Sequence, residues 1–410
     1  MNLRLLIQYF PWLLGLRIRL IVLGRVLAYP LRFLPGNSRT FGPPRKLHYA
    51  VHDVPGCKMT KLGAQYAVQR VKPVTNSRLV EAEFGRMPDP TVEEAYVAEL
   101  PGGRYFGTGG GCLVVGDDGL VWTHSPTNYT FKLSLHHAFS RLWLPKPQRY
   151  RKVINLATRC AEANYWHWMM DCVPRCRLLA AAGVDTSDAL WLIDHRRLPY
   201  QLETLQAFGI PEAAVLVPDA RTHVEAETMI VPAYLNPVLT SETITYSGES
   251  LEFLRQTFLP PEGPEPPPSA PRAAERIYLS RGKGARSFAN EEEVTAVLER
   301  EGFSVVHCED LSVHEQAQVF AQARIVVALH GAGLTNVVFC QPGTTVVEIF
   351  APDFIQPYYW TLSCQARLRY AAYCEDERRM GIEGFRYRRA EGTAVDLQQF
   401  KEFLRPLLTR

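Results

Sequence analysis

Apolar runs alternate with amphipathic helical periods along most of the chain from residue 152 onward. Short apolar runs are typical of buried strands, and apolar residues spaced three and four apart are typical of helices packed on a sheet. Because parallel strands require crossover connections, this alternation predicts doubly wound parallel sheets. The predicted strands of the first series are 153–157, 189–194 and 228–235, and the helices between them are 164–183 and 199–209.

A second series of strands and helices has clearer end signals. Asn290 precedes a helical period with Glu293 at its third position and Gly302 at its end, while Ser312 and Glu315 form a capping box. The last helix, about 395–408, carries its apolar residues on one face. The predicted strands are 276–281, 303–307, 324–329 and 344–350, and the capping box opens a helix over 313–323.

Two compositional features divide the chain. Residues 91–125 contain short apolar runs and turns, with a hairpin signal at Asp118-Gly119, and predict a β-rich layer. Seven prolines within 260–271 exclude helix and strand and predict a semi-rigid linker. The predicted parts are a basic amphipathic segment (1–35), a β-rich N-terminal layer (36–150), a first Rossmann-like domain (151–259), the linker (260–271), a second Rossmann-like domain (272–393) and a C-terminal helix (394–410).

The chain has 410 residues, of which 47% are hydrophobic and 21% charged. This composition excludes the disordered class and suffices for two α/β cores. The net charge is +3, yet the first 52 residues hold eight basic residues and no acidic one, so the remainder is slightly acidic. No nucleic-acid partner is expected, because the remainder lacks the basic, aromatic-interleaved stripe of nucleic-acid-binding proteins.

The basic start of the chain predicts contact with an anionic surface. Its longest charge-free run, Leu5 to Leu16, has twelve residues, whereas a transmembrane helix needs about 20. Residues 1–34 are therefore expected to lie in the interface of an anionic membrane as an amphipathic helix. The alternative is a helix packed on the body of the protein with its arginines in water.

Nine scattered cysteines without a C-x-x-C pair predict free thiols in a reducing compartment and no structural zinc site. No essential metal is expected. The chain has no D-x-D pair, which is the usual metal–diphosphate anchor of single-sheet sugar transferases. It also lacks a G-x-S-x-G elbow and a P-loop, which disfavours hydrolase and P-loop functions.

A candidate phosphate site follows the predicted strand 324–329. Two glycines permit close backbone approach, and the start of the next helix offers N–H groups and a positive dipole end. The alternative is a turn that merely needs glycine. The candidate residues are His330, Gly331, Ala332, Gly333, Thr335 and Asn336.

Three cations, Arg281, Lys283 and Arg286, follow the strand 276–281 and are expected to face the same edge. They suit phosphate binding through charge-assisted hydrogen bonds, although a solvated loop is an equal interpretation for Lys283. Glu348 interrupts the apolar strand 344–350, and its carboxylate needs a partner. A sugar hydroxyl pair and a nearby arginine are both open.

A candidate acid–base pair lies in NYWHWMMD (164–171), after the first predicted strand. On a helix, Asn164, His167 and Asp171 share one face, and a histidine with a carboxylate one turn on suits proton transfer. Either His167 or Asp171 is the base, and the alternative is a core histidine. Pro174 is expected to kink this helix, while Asn164 and Arg175 are the expected acceptor contacts.

These segments together resemble glycosyltransferase family 61: NYWHWMMDCVPR, the basic loop after RIYLSR, and above all ALHGAGLTNVVFCQPGTTVVEIF. The family includes plant xylosyl- and arabinosyltransferases, an EGF-domain GlcNAc transferase and bacterial capsule or exopolysaccharide transferases. The resemblance covers about residues 90–375. It implies an α/β, GT-B-like fold of two Rossmann-type domains facing a cleft, a nucleotide-sugar donor and inversion at the anomeric carbon. The loop RGKGARS has fewer arginines than the family's usual basic loop, which bears on Arg286.

The resemblance leads to one main hypothesis. A sugar, UDP-linked by expectation, passes to a glycan or glycolipid in surface-polysaccharide assembly at the cytoplasmic face of a membrane. The second domain would hold the donor and the first domain the acceptor. The alternatives are a dinucleotide-dependent oxidoreductase, for which the third glycine of G-x-G-x-x-G is missing, and a catalytically inactive nucleotide-sugar-binding protein.

Overall fold

The computed structural model describes residues 56–107, 145–158, 160–233, 245–259, 274–281, 290–352, 354–375 and 394–409. It also describes the backbone of 46–48, 113–115 and 120–122 and two helical positions, Leu20 and Leu23. The amphipathic segment predicted over 1–34, apart from those two positions, lies outside the described residues. So do the hairpin turn at Asp118-Gly119 and the proline-rich linker.

The described chain is mixed α/β, with two large sheets and one two-stranded pair. The strands of the first sheet are β1 (Lys46–His48), β2 (Lys58–Gly63), β6 (Ala95–Pro101), β7 (Arg104–Phe106), β8 (Leu113–Val115), β9 (Leu120–Trp122), β10 (Gln148–Asn155), β11 (Leu190–Leu192), β12 (Val215–Leu216) and β13 (His223–Pro232). Those of the second are β4 (Val74–Thr75), β14 (Arg276–Leu279), β15 (Ser304–Val306), β16 (Ile325–Leu329), β17 (Thr345–Phe350) and β18 (Arg369–Cys374). Strands β3 (Tyr66–Ala67) and β5 (Thr91–Val92) form the pair.

The α-helices of the described residues are α1 (Arg78–Gly85), α2 (Tyr165–His167), α3 (Arg175–Ala181), α4 (Pro199–Ala207), α5 (Gly248–Phe258), α6 (Glu291–Arg300), α7 (Val313–Gln322), α8 (Tyr358–Gln365) and α9 (Leu397–Leu408). A π-helical turn, Trp168–Cys172, joins α2 to α3. The 3₁₀ segments are Glu212–Ala214, Cys308–Asp310 and Ala332–Phe339.

The second sheet is parallel throughout, in the order β15-β14-β16-β17-β18-β4. Its first five strands follow the 2-1-3-4-5 order of doubly wound sheets, which reverses between β14 and β16. Alternate residues of β16 are buried on opposite faces: Val326 and Ala328 belong to the large core that extends to the first sheet, and Val327 and Leu329 to a smaller core under α9. The sheet is therefore covered on both faces, as parallel sheets require.

The first sheet is mixed. Strands β13, β10, β11 and β12 are parallel, whereas β6 and β7 run antiparallel to β13. The strands predicted as a separate β-rich layer thus continue the sheet of the following segment, and the expected boundary at 150/151 falls within β10. Sequence patterns indicate strands but not which strands pair, so this continuity could not be predicted.

A segment near the start of the described chain packs on the second sheet. Strand β4 pairs with β18, and Asn76 hydrogen bonds with the backbone of Cys374. In α1, the ring of Phe84 stacks on Trp360 at 4.5 Å. Residues that precede the first sheet's main strands therefore complete the edge of the second sheet.

The predicted helix ends hold with one exception. The Ser312–Glu315 capping box is confirmed, and Phe400, Leu404 and Leu407 of α9 are buried, with Leu397 and Phe403 packed beside them. Asn290 precedes α6 as expected, but its side chain bonds the backbone N–H and carbonyl of Val395 rather than capping the helix. The amide therefore ties the start of α6 to the start of α9.

No helix in the described part of the chain is both long and apolar enough to cross a membrane. The cysteines of the described residues are free thiols, and three of them, Cys172, Cys340 and Cys374, are buried.

Gly103 sits where β6, β7 and β13 meet. A Cβ atom there would lie 2.6 Å from Cβ of Met229 and 3.2 Å from the carbonyl oxygen of Leu100. Its own carbonyl accepts from Ala226 N at 2.9 Å. Glycine is therefore required at this position, because the space between the strands admits no side chain.

Replacing Gly103 with Ala is expected to destabilise the protein by about 1–3 kcal/mol, because the backbone has to move to admit the methyl group. Urea unfolding followed by tryptophan fluorescence measures the difference. Gly85→Ala is the matched control, since nothing lies within 4 Å of its Cβ position at the end of α1. Equal unfolding midpoints for the two variants would contradict the close packing at Gly103.

Candidate active site

A cleft of 470 Å³ opens at the carboxyl ends of β14 and β16, where the strand order reverses. Open α/β sheets bind ligands at such a point. Of the predicted residues, Arg281, Gly331, Ala332 and Gly333 line it. The opposite wall includes Tyr165 of α2 and Tyr200 of α4, which belong to the first half of the chain.

Arg281 lies against Gly331 at the base of this cleft. Its Nη1 donates to the carbonyl oxygen of His330 at 2.8 Å. A Cβ atom on Gly331 would lie 2.5 Å from the same Nη1, while the backbone at Gly331 is extended (φ 172°) and open to any residue. An added methyl group would make the flexible guanidinium move, so glycine lets that group rest on the backbone beside the cleft.

The segment after Gly331 is a 3₁₀ helix, Ala332–Phe339. Its first hydrogen bond runs from Leu334 N to the carbonyl of Gly331 at 3.0 Å. The N–H groups of Ala332 and Gly333 precede that bond, so they have no acceptor within the helix. Together with the helix dipole they suit an anion at the cleft.

Thr335 and Asn336 are fully buried and do not line the cleft. The amide of Asn336 accepts from the Tyr165 hydroxyl at 2.7 Å and donates to Gln316 Oε1 at 2.6 Å. Asn336 was predicted to bind the donor, and its described partners are protein groups through which it connects the two halves of the chain. A polar residue inside a motif gave no sign of which way its side chain turns.

Glu348 is also fully buried, and its described partners are a histidine and a tyrosine rather than an arginine. One carboxylate oxygen pairs with His330 Nδ1, and the other accepts from the hydroxyl of Tyr370. The His330 ring stacks on Phe350 and lies near the rings of Tyr358 and Tyr359. The sequence showed that the carboxylate needs partners but could not identify them.

His167 and Asp171 form a hydrogen-bonded pair, with Nδ1 2.7 Å from Oδ2. The side chain of Asp171 is fully buried and that of His167 is 15% exposed. The backbone between them enters the π-helical turn, in which Val173 N donates to the Trp168 carbonyl at 3.1 Å. Pro174 follows this turn and caps α3, so the predicted helix is divided there rather than kinked.

The two residues expected to contact the acceptor, Asn164 and Arg175, both form hydrogen bonds within the protein. The side-chain oxygen of Asn164 caps α2, accepting from Trp166 N at 2.9 Å and His167 N at 3.3 Å. Arg175 is buried, and its guanidinium donates to the carbonyls of Asn155, Leu156 and Pro232 and to the Thr158 hydroxyl. It occupies the carbonyl ends of β10 and β13.

Aromatic contacts join the two histidine–carboxylate pairs. Trp166, next to His167, stacks on Tyr358 with ring centroids 5.3 Å apart. Tyr358 lies 5.9 Å from the ring of His330. The pairs His167–Asp171 and His330–Glu348 thus belong to opposite halves of the chain. The stacked rings of Trp166 and Tyr358 lie between them.

The sequence patterns did not identify several residues that line the cleft: Tyr165, Tyr200, Cys308, Glu309 and Gln316. Cys308 and Glu309 follow a strand, β15, and the rule that singled out Arg281 would have found them. Burial raises the pKa of the Cys308 thiol to about 12 and that of the Tyr200 phenol to about 12, so both remain neutral.

Lys283 and Arg286 lie outside the described residues, so their predicted roles stay predictions. Within the described ranges, no group of three or more His, Cys, Asp or Glu side chains is arranged to hold a metal ion.

Comparison with known proteins gives a family match and short alignments with plant enzymes. Residues 165–347, just under half of the chain, match the family described as Glycosyltransferase 61. A segment of 62 residues, 15% of this chain, is 32% identical to a beta-1,2-xylosyltransferase of Arabidopsis thaliana. A segment of 102 residues, 24% of this chain, is 30% identical to alpha-1,3-arabinosyltransferase XAT2 of Oryza sativa subsp. japonica.

The aligned segments span 12% and 17% of those two plant proteins. The family match begins at Tyr165 and ends at Val347. It therefore includes His167 and His330. The family match and the two short alignments show that part of this chain is similar to glycosyltransferases of family 61.

Proposed function

We propose that this protein is an inverting glycosyltransferase that moves a sugar from a nucleotide-sugar donor, UDP-linked by expectation, to a glycan or glycolipid. The glycosyltransferase class rests on the matches above. The proposed architecture is GT-B-like, with the second sheet as the donor half and the parallel part of the first sheet as the acceptor half. The doubly wound order of the second sheet supports it.

The donor diphosphate would bind in the 470 Å³ cleft. Arg281 supplies a fixed positive charge there, and the N–H groups of Ala332 and Gly333 supply hydrogen-bond donors at a helix start. Lys283 remains a proposed further contact. The glycines allow the phosphates to approach the backbone closely.

The observation that carries the proposal is the His167–Asp171 pair beside the cleft wall. Because Nδ1 faces a buried carboxylate at 2.7 Å, a neutral ring that donates from Nδ1 would have Nε2 as its basic nitrogen. Tyr165, two residues earlier, lines the cleft itself. A base in the half of the chain facing the donor is what an acceptor hydroxyl needs.

The proposed reaction is a single displacement at the anomeric carbon. The acceptor oxygen forms a bond to the anomeric carbon on the face opposite the diphosphate, and its proton passes to His167 Nε2. The bond from the anomeric carbon to the phosphate oxygen breaks, and its electron pair leaves with the nucleoside diphosphate. A single in-line displacement inverts the configuration at that carbon.

We propose that leaving-group charge is neutralised without a metal ion. The sequence lacks D-x-D, and Arg281 with the helix-start N–H groups offers fixed donors instead. Preorganised donors aimed at developing charge contribute several kcal/mol to catalysis.

The proposed place of action is the cytoplasmic face of a membrane, in surface-polysaccharide assembly. The support is the sequence of residues 1–34, which contain five arginines and no acidic residue among apolar positions. Anionic headgroups attract each such residue by about 1 kcal/mol.

Exchange of His167 tests the base. His167→Asn retains a side-chain N–H near Asp171 but has no basic nitrogen, so turnover is expected to fall by about 10²–10⁴ with nucleoside diphosphate affinity retained. Asp171→Asn is expected to cost less, because only orientation and charge stabilisation are lost. Turnover is measured as nucleoside diphosphate release and affinity by calorimetry.

A deeper loss in Asp171→Asn would make Asp171 the base. Near-normal turnover in both variants would show that the base lies elsewhere.

Substitutions at Gly331 and Gly333 test the proposed diphosphate site. Gly331→Ala is expected to displace the Arg281 guanidinium, because its Cβ would lie 2.5 Å from Nη1, and to weaken nucleoside diphosphate binding by about 10- to 100-fold. Gly333→Ala is the matched control, since its Cβ would meet only Cys308 Sγ at 3.8 Å and Leu279 Cδ1 at 3.9 Å. Equal affinities for the two variants, measured by calorimetry, would argue against this site.

Chelation tests whether catalysis needs a metal ion, and an Arg281 variant tests whether that residue supplies the positive charge instead. Activity is expected to survive EDTA, whereas Arg281→Ala is expected to lower kcat/KM by about 10² or more, since one fixed donor to developing charge is lost. Loss of activity in EDTA with recovery on Mg²⁺ or Mn²⁺ would overturn metal-independent catalysis.

A further inference from the structure

A second cavity lies on the second sheet, away from the cleft. Its volume is 480 Å³, within the range of roughly 300–1,000 Å³ that small-molecule sites occupy. It lies at the amino ends of β17 and β18, where Thr345 and Arg369 begin these strands, and β4 and α9 contribute to its wall. Because these strands are parallel to β14 and β16, this edge of the sheet is opposite to the edge that holds the cleft. The two cavities have no lining residue in common.

The wall of this cavity combines positive charge with aliphatic surface. Lys72, Arg367 and Arg369 are basic, and none of the described residues that line the cavity is acidic. Val71 and Val74 also line it and are 72% and 46% exposed. A single exposed valine is ordinary, but here two of them adjoin a group of cations. The cavity therefore suits a ligand with negative charge at one end and hydrocarbon at the other.

The three cations differ in what already holds them. Lys72 pairs with Glu81 of α1 at 3.2 Å, with both side chains largely in solvent. The Nε of Arg369 donates to the carbonyl oxygen of Gly343 at 3.0 Å, which fixes its guanidinium at the start of β18. Over the part of the chain that the structure describes, the guanidinium of Arg367 has neither an ion-pair partner nor a hydrogen-bond acceptor. Arg367 therefore brings to the cavity a charge that no described group neutralises.

The backbone at Arg367 shows that its side chain is kept at a cost. Arg367 follows α8 with φ at 58°, in the left-handed region that favours glycine. Its N–H donates to the Cys364 carbonyl at 3.2 Å, and Leu368 N donates to the Ser363 carbonyl at 2.8 Å, which are the two bonds of a Schellman motif. Of four described helix ends with this motif, the one at the cavity has arginine where the others have glycine. The glycines, after α3, α4 and α6, are Gly183, Gly209 and Gly302.

The rest of the wall selects the uncharged part of the ligand. Leu368, Ala371 and Leu407 add aliphatic surface beside the two valines. Tyr370 is the aromatic residue among the described lining, and its hydroxyl already donates to Glu348. A nucleotide base binds through ring faces and polar edges, whereas a hydrocarbon chain needs only aliphatic contact. The wall therefore favours a lipid over a nucleotide.

We propose that this cavity binds the phosphate group of an anionic lipid. Arg367 and Arg369 donate charge-assisted hydrogen bonds to the phosphate oxygens, and Lys72 adds a third positive charge. The acyl chains lie against Val71 and Val74. This lipid site is separate from the donor cleft and from residues 1–34, and it does not depend on sugar transfer.

Calorimetry of the full chain with three soluble probes tests the ligand class. Dihexanoyl phosphatidic acid has an anionic phosphate and two short chains, dihexanoyl phosphatidylcholine has the same chains with no net charge, and inorganic phosphate has no chain. Each lipid is used below the concentration at which it forms micelles. We expect the phosphatidic acid to bind at least about tenfold more tightly than either other probe, since it alone offers both charge and hydrocarbon.

Two arginine variants separate ligand binding from stability. Arg367→Gly removes the guanidinium and relaxes the backbone, so affinity for dihexanoyl phosphatidic acid is expected to fall about tenfold while the urea unfolding midpoint does not fall. Arg197→Gly is the matched control, because Arg197 also has φ at 58° and does not line the cavity. It is expected to bind as the wild type does. Any binding by residues 1–34 is the same in both variants, so their difference reports the cavity alone.

Val71→Asp is a second variant at an exposed position of the wall, and it places a negative charge where the acyl chains would lie. We expect it to weaken phosphatidic acid binding by about tenfold or more. Unchanged affinity in Arg367→Gly or in Val71→Asp would overturn the inference. So would a lower unfolding midpoint in Arg367→Gly, which would make the arginine part of the fold. Equal affinity for inorganic phosphate and phosphatidic acid would show an adventitious ion only.

Discussion

The buried amide of Asn336 fixes the two walls of the cleft relative to one another. It accepts from Tyr165 at the start of α2 and donates to Gln316 of α7, with no exposure to solvent. A buried amide left unpaired costs free energy, so these elements hold one arrangement. Glu203 of α4 adds a second tie, accepting from Val313 N at 2.7 Å at the start of α7. These bonds hold Tyr165 in the same cleft as Gly331 and Gly333.

The two sheets use their strand ends differently. In the first sheet, the guanidinium of Arg175 satisfies the carbonyls at the ends of β10 and β13, so that end is closed by the protein's own side chain. In the second sheet, the reversal between β14 and β16 stays open and forms the cleft. In the proposed reaction, the His167–Asp171 pair of the first half would act on a ligand that the second half holds.

Much of this arrangement is predictable from the sequence. The second parallel sheet, the Ser312–Glu315 cap and the cleft positions of Arg281 and Gly331 follow from strand periodicity and from inspecting residues that come after strands. The directions in which buried polar side chains point are not predictable from the sequence. Asn336, Glu348 and Arg175 have the same chemistry whether they bind a ligand or another part of the protein. The pairing of β4 with β18 also escapes local patterns, since partners about 300 residues apart in sequence leave no periodic signal.

In the proposed reaction, a donor in the cleft of the second half is attacked by an acceptor hydroxyl that His167 activates. The most direct measurement follows the anomeric configuration of the product by NMR, using a panel of nucleotide sugars and acceptor glycans with the wild-type protein and His167→Asn. We expect an inverted product from at least one donor, with nucleoside diphosphate release that depends on His167. A product of retained configuration, or equal release by both proteins, would contradict it.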